Sequence, residues 1–263
     1  MIAAKMRQRP PISYYGGKQQ LVNSILEKIP EHKVYTEAFA GGLAVFWAKK
    51  QSKLEVVNDL DGEISNFYKV LKCEFLNLER LVQSTLHSRK DYEDALIIYK
   101  SPHLFSEVKR AWAFWVLTNQ GFASKIGSWG YDRSSGSTER KITNKKIQFD
   151  MKLAKRLEET QIECNDALKV ISSRDTPESF HFIDPPYFNS NCGHYDGYSE
   201  RDFKDLLNLL SEIEGKFLLC SYDSDILKSY VSQNGWNQSF KEMPVAADKS
   251  KTKRKVEVMT WNY

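Results

Sequence analysis

Two hydrophobic periods alternate at both ends of the chain, and the alternation lapses in its middle. Val34-Tyr35-Thr36-Glu37 and Leu54-Glu55-Val56-Val57-Asn58 are rich in β-branched and aromatic residues and predict two strands. A helical stretch from Leu43 to Lys50 lies between them, completing a βαβ unit. From Ile64 to Asn119 the apolar positions take helical spacing, first Leu76, Leu78, Leu81 and Val82, then Ala111, Phe114, Trp115 and Leu117. No strand is evident there. Residues 120–148 turn polar and glycine-rich around a Ser-Ser-Gly-Ser centre, which predicts a hairpin tip or a mobile loop. Strand-like runs return at Thr160–Cys164, His181–Ile183 and Lys216–Tyr222, and Val256–Tyr263 alternates as a closing strand. Phe203, Leu206, Leu207, Leu210 and Ile213 form the apolar stripe of an intervening helix. Strands alternating with helices predict an α/β sheet with crossover helices, interrupted by a mainly helical insertion.

Composition narrows this picture only modestly. The 263 residues suffice for one large core with an inserted subdomain, and neither a repeat nor a low-complexity linker divides them. A formal charge of +4 permits a nucleic-acid partner without requiring one. Residues 1–7 are basic with no apolar stretch after them, and no run approaches the roughly 20 apolar residues of a spanning helix. A cytoplasmic protein without membrane contact is expected. Cys73, Cys164, Cys192 and Cys220 lack metal-ligand spacing, so reduced thiols are expected, with neither a disulfide framework nor a metal site.

The segment Phe182-Ile183-Asp184-Pro185-Pro186-Tyr187 carries the strongest chemical signal. Asp184 offers a carboxylate acceptor after a strand, and Pro185 fixes its own φ, so that its carbonyl is a second acceptor at a set position. Tyr187 adds a flat face for a base. A proline-stiffened turn is the plainer reading of the same letters. Thr36 to Gly42 sets two glycines at a strand-to-helix turn, where a ligand approaches the backbone closely or a helix merely starts. Asp59 ends the second strand, where an acid accepts hydrogen bonds from ribose hydroxyls, but Asp59, Asp61 and Glu63 also suit a helix N-cap. Asp166, ending the third strand, reads by itself as a helix cap. Ser13-Tyr14-Tyr15-Gly16-Gly17-Lys18 is not a phosphate loop, since the glycine spacing is wrong and Gln19 follows the lysine. Between Ser124 and Lys146, Lys125, Arg133, Arg140, Lys141, Lys145 and Lys146 face only Asp132 and Glu139, with Trp129 and Tyr131 interleaved. That composition suits phosphate contact or a solvated face. A second basic cluster comprises Lys249, Lys251, Lys253, Arg254 and Lys255.

Asp184-Pro185-Pro186-Tyr187 resembles the motif of amino-directed nucleic-acid methyltransferases, and the order of motifs resembles the Dam-like (D12 class, alpha group) DNA adenine-N6 methyltransferases. Tyr14 and Lys18 match the aromatic-x-Gly-Gly-Lys segment, while Glu37, Phe39 and Gly41 match an acid-Pro-Phe-x-Gly-x-Gly run in which Ala38 and Leu43 depart from the pattern. The resemblance implies a Rossmann-like sheet at 1–63 and 151–263, with a helical target-recognition domain carrying a hairpin at 64–150. It implies S-adenosyl-L-methionine as cofactor, held by Tyr14, Lys18, Glu37, Phe39, Gly41, Asp59, Asp166 and Asp184. Catalysis falls to Asp184, Pro185, Pro186 and Tyr187. Leu117 to Phe122 resembles the start of the recognition hairpin, so Asn119, Lys125, Trp129, Tyr131, Arg133, Arg140 and Lys141 are the expected DNA contacts. Double-stranded DNA is the implied partner, a cognate restriction endonuclease a further one, and the implied origin is prokaryotic or phage. No cysteine follows a proline, which argues against cytosine-C5 methylation. Methylation of cytosine N4 or of RNA shares the pocket chemistry. A catalytically silent DNA-binding protein or a nicotinamide-dependent oxidoreductase would leave Asp184-Pro185-Pro186-Tyr187 unexplained.

Overall fold

The computed structural model describes residues 8–188, 198–244 and 254–263, with the side chains of Pro244, Arg254 and Lys255 left out. Cys192, Lys249, Lys251, Lys253 and the basic N-terminal residues 1–7 lie outside the described residues. The chain divides into two compact units, Met1–Glu27 with Gly41–Lys50 and Asp59–Cys164, and Lys28–Ala40 with Gln51–Asn58 and Asn165–Tyr263. Residues 64–150 fall wholly within the first.

The first unit is mainly helical: α1 (Val22–Leu26), α2 (Ala44–Ala48), α3 (Gly62–Cys73), α4 (Phe75–Ser84), α5 (Arg89–Lys100), α6 (Glu107–Gln120), α7 (Ser137–Ile147) and α8 (Met151–Leu157). It also holds strand β3 (Thr160–Glu163). Apolar residues three and four apart put Phe67 of α3 against Phe114 of α6, their ring centroids 6.0 Å apart. Phe75 stacks on Phe149, and Trp115 meets Phe149 edge-on, with all three rings buried. Side-chain caps start three of these helices: Ser88 for α5, Ser106 for α6 and Asp150 for α8.

The second unit holds β1 (Val34–Glu37), β2 (Leu54–Asn58), β4 (Ser179–Ile183), β5 (Lys216–Ser221), β6 (Asn237–Pro244) and β7 (Arg254–Trp261), with α9 (Ala167–Arg174), α10 (Glu200–Glu212) and α11 (Asp225–Asn234). Its strands lie in the order β2-β1-β4-β5-β7-β6. β1 pairs in parallel with both β2 and β4, and β4 in parallel with β5, while β7 is antiparallel to both β5 and β6. Chain direction after β1 and after β4 thus departs to opposite sides, and the crevice beyond the carboxyl ends of β1 and β4 is where open α/β sheets take ligands. The stripe predicted for α10 is its buried face: Phe203, Leu206, Leu207 and Leu210 pack with Ile183, Phe217, Leu219 and Trp236. Each such side chain contributes about 1.5–3 kcal/mol on burial. Ser199 and Asp202 close a reciprocal capping box at its start.

Two features differ from the expectation. β6 carries no strand-like run, since Asn237-Gln238-Ser239-Phe240-Lys241-Glu242 is largely polar; pairing along the length of β7 makes it a strand. The Ser-Ser-Gly-Ser centre is not a hairpin tip but the start of α7. Asp132 gathers the N–H groups of Ser135, Gly136 and Thr138 at 2.8–2.9 Å, which fixes that start. The antiparallel element is shorter, a bridge from Gly121 to Trp129 in which Phe122 N–H donates to Ser128 O and Gly130 N–H to Gln120 O, both at 2.7 Å. Gly121 is required there, because an added Cβ would lie 2.3 Å from Lys125 O. No helix among the described residues is long and apolar enough to cross a membrane.

Candidate active site

In the second unit, β4 delivers Asp184 directly from a fully buried strand. Pro185 is buried, and Asp184, Pro186 and Tyr187 are half-buried. The Tyr187 Oη lies 2.9 Å from Glu257 Oε2 and 3.3 Å from Asp184 Oδ1. Tyr222, just past β5, meets the Tyr187 ring edge-on at 4.4 Å between centroids. Burial raises the Tyr187 hydroxyl well above the ordinary tyrosine value, and the carboxylates of Asp184 and Glu257, with Cys220, add to the effect. The hydroxyl is therefore a neutral donor, not a phenolate. The structure brings the Asp184 carboxylate and the Tyr187 hydroxyl together.

Glu257 and Tyr222 did not figure among the sequence candidates. The signal for Glu257 was an acid inside the closing apolar run Val256-Glu257-Val258-Met259. Register explains the placement: Ser221 of β5 pairs with Val258 of β7, so Glu257 stands beside the chain as it leaves β5 towards Tyr222. Glu257 is only 2% exposed.

The other second-unit candidates are built into the ends of strands. Glu37 is buried and accepts the Tyr35 hydroxyl at 2.7 Å. Phe39 packs on the core and meets Tyr198 edge-on. Asp166 is exposed and caps α9 by accepting the Lys169 N–H at 3.0 Å. Asn58 is buried and donates to Ala38 O at 2.9 Å and Asn165 O at 3.0 Å, while its own oxygen accepts Asn165 N–H. It ties the ends of two loops together.

In the first unit, the Tyr14 ring lies against Gly41, and its Cβ against Gly42. Gly41 has φ +44, and a Cβ there would lie 2.9 Å from Tyr14 Cδ1, so only glycine fits. Leu43 holds φ 54, a left-handed conformation, while its side chain is buried. Asp59 accepts Gly41 N–H at 2.9 Å and Asp61 N–H at 3.0 Å. Burial pushes the Asp59 carboxyl up to about 6, against the lowering effect of these two bonds. The cap of α3 is Asp61, which accepts Glu63 N–H at 2.8 Å. Tyr68 donates to Gly41 O at 2.8 Å and Lys18, which is buried, to Gly16 O at 3.0 Å. Among the described residues no group of three His, Cys, Asp or Glu is arranged for a metal ion.

The expected DNA contacts separate by exposure. Asn119 is 2% exposed and accepts Ser13 N–H at 3.1 Å while donating to Pro11 O and Trp115 O, so it fixes the N-terminal segment and is not on the surface. Its place at the end of a helix that buries every late residue accounts for the difference from the expectation. Trp129 is half-buried, stacked on Tyr131 at 5.5 Å and capped by Arg89 at 4.8 Å. Lys125 lies over the Tyr15 ring at 4.7 Å. Tyr131, Arg133, Arg140 and Lys141 are exposed, with Arg140 and Lys141 on α7 and Arg140 donating to Ser135 O at 2.7 Å.

Parallel strands with a switch between β1 and β4, and Asp-Pro-Pro-Tyr at the carboxyl end of β4, define a Rossmann-like α/β methyltransferase that acts on amino groups. Residues 14–249 match the model of the D12 class N6 adenine-specific DNA methyltransferases, and the chain belongs to that family. It is an enzyme that methylates adenine N6 in DNA. It is 25% identical over 228 residues to the type II methyltransferase M.MjaIII of Methanocaldococcus jannaschii, covering 76% of each chain. The DNA N-6-adenine-methyltransferase of Escherichia phage P1 is 27% identical over 75% of this chain, which spans 26% of that relative. The type II methyltransferase M1.LlaDCHI of Lactococcus lactis subsp. cremoris is 24% identical, over 98% of this chain and 97% of its own. The family decides for adenine over cytosine, for DNA over RNA, and for an enzyme over a silent binding protein or an oxidoreductase.

Proposed function

We propose that the enzyme uses S-adenosyl-L-methionine to methylate an adenine flipped out of double-stranded DNA, with Asp184, Pro185 and Tyr187 holding the base. The arrangement that carries this reading is Asp184 at the end of β4 with the Tyr187 hydroxyl held 3.3 Å from its Oδ1. Adenine N6 is a poor nucleophile, because its lone pair is delocalised into the ring. The Asp184 carboxylate and the Pro185 carbonyl draw its two hydrogens and stabilise the positive charge that develops at nitrogen. The Tyr187 face stacks on the extruded base, and at about 1–3 kcal/mol that stacking offsets an unstacking cost of the same order. Pro186 stiffens the turn that sets these groups.

The residues of the first unit suit the cofactor. Asp59 has spare lone pairs beyond the bonds from Gly41 and Asp61, enough to accept ribose hydroxyls, and the Tyr14 ring stands beside the glycine turn. Lys18 adds a cation for a carboxylate. In the second unit, Glu37, Phe39 and Asp166 are the cofactor candidates, at its strand ends. When bound, the cofactor supplies a methyl group carried on a cationic sulfur. Residues 64–150 serve target recognition, with Lys125, Trp129, Tyr131, Arg133, Arg140 and Lys141 towards DNA; Asn119 supports them from within α6.

Incubation with methyl-labelled S-adenosylmethionine and unmethylated duplex DNA, followed by digestion to nucleosides, tests the reading. Label in N6-methyladenine that disappears in Asp184→Ala supports it. Full labelling by Asp184→Ala would overturn the assignment of Asp184.

A further inference from the structure

Tyr187 has one hydroxyl hydrogen and two carboxyl neighbours. A single O–H makes one strong bond, so the nearer oxygen, Glu257 Oε2 at 2.9 Å, takes the hydrogen, and Asp184 Oδ1 at 3.3 Å faces the hydroxyl oxygen. Glu257 is almost fully buried on β7, an uncommon position for an acid that has no polar task. Neither Asp-Pro-Pro-Tyr nor the glycine turn accounts for it.

We propose that Glu257 is a positioning residue for methyl transfer: it accepts the Tyr187 O–H, which fixes the ring and keeps that donor off the Asp184 carboxylate that faces the target base. The proposal rests on the reading of Asp184 and Tyr187 given above. Without a carboxylate at 257 the hydroxyl turns to Asp184, the other carboxylate beside it among the described residues. A donor on that carboxylate competes with the adenine hydrogens and weakens the polarisation that transfer requires. The edge-on contact with Tyr222 and the fixed β5–β7 register leave Tyr187 little freedom to rotate away.

The test is a double-mutant cycle between Glu257→Gln and Tyr187→Phe, read as kcat and KM for duplex DNA across pH. In the presence of the Tyr187 hydroxyl, Glu257→Gln lowers kcat by about 10- to 100-fold, the worth of one hydrogen bond to a charged group, with KM changed by less than about threefold. In the Tyr187→Phe background, where no hydroxyl remains to be steered, the same substitution changes kcat by less than about threefold. An equal loss in both backgrounds, or no loss in the first, overturns the proposal. Thermal melting and cofactor binding check that each variant folds; where Glu257→Gln does not fold, Glu257→Asp enters the same cycle and must likewise lose its effect in Tyr187→Phe. Asp184→Asn runs alongside: full activity there sinks the underlying reading, whereas its inactivity with a failed cycle sinks only the role of Glu257.

Discussion

Asp59 Oδ2 accepts the Gly41 N–H at 2.9 Å, which binds an acid to a backbone position where no side chain fits. Burial lifts this carboxyl to about 6. Because the folded-state value is raised, folding favours the neutral acid: the stabilisation is present at low pH and is lost as pH climbs through about 6. Ligand binding runs the other way, since hydroxyl groups need the ionised acceptor. Affinity for S-adenosylmethionine should fall by up to about tenfold per pH unit below that point. Calorimetric titration between pH 5 and 8 checks this (about 6 being the expected break), and Asp59→Asn should bind weakly with a flat profile; a wild-type profile as flat as that of the variant would refute the role.

Leu43 sets two opposing energies against each other. Its left-handed backbone costs about 1–2 kcal/mol, which glycine would relieve. Loss of a buried leucine side chain costs about 2–5 kcal/mol, and glycine adds unfolded-state entropy. Leu43→Gly should therefore be net destabilising by about 1–4 kcal/mol in urea unfolding. A more stable variant would show that backbone strain outweighs packing at this turn.

His181 lies wholly buried in β4, its Nδ1 2.6 Å from Thr36 Oγ1 of β1 and its Nε2 3.5 Å from Asp175. Burial lowers its pKa from the ordinary value, and Asp175 opposes the shift only in part. Stability from the neutral ring is complete above the unfolded value and declines as pH falls below it. Melting temperature should drop more steeply between pH 7 and 5 in the wild type than in His181→Gln, whose baseline is lower. Parallel slopes would assign the acid sensitivity elsewhere.

On α7, Lys141 is exposed towards solvent. A phosphate contact there predicts that Lys141→Gln weakens binding to all duplex sequences alike and reduces the slope of log affinity against log salt by about 1. Binding titrations at several salt concentrations measure both. Weakening confined to one sequence would indicate base reading instead, and an unchanged slope would remove Lys141 from the interface.

Much of this protein was legible in its sequence because the signals were local. β1 and β2 occupy the two runs rich in β-branched and aromatic residues, the stripe of α10 is its buried face, and Asp184 follows a strand as the apolar run before it requires. Such features depend on residues within one turn or one strand, where periodicity and backbone preference act directly. What the tertiary structure alone decided depends on partners distant in the chain. β6 is a strand only because β7 pairs with it. Asp61 caps α3 while Asp59 turns to Gly41, a choice that composition left open among three acids. Asn119 is buried because Ser13 and Pro11 meet it from more than a hundred residues away. Glu257 reaches Tyr187 across 70 residues through the β5–β7 register. Hydrogen-bond donors and acceptors recognise distance and direction, not sequence separation, so pairings of this kind exist only once the chain has folded.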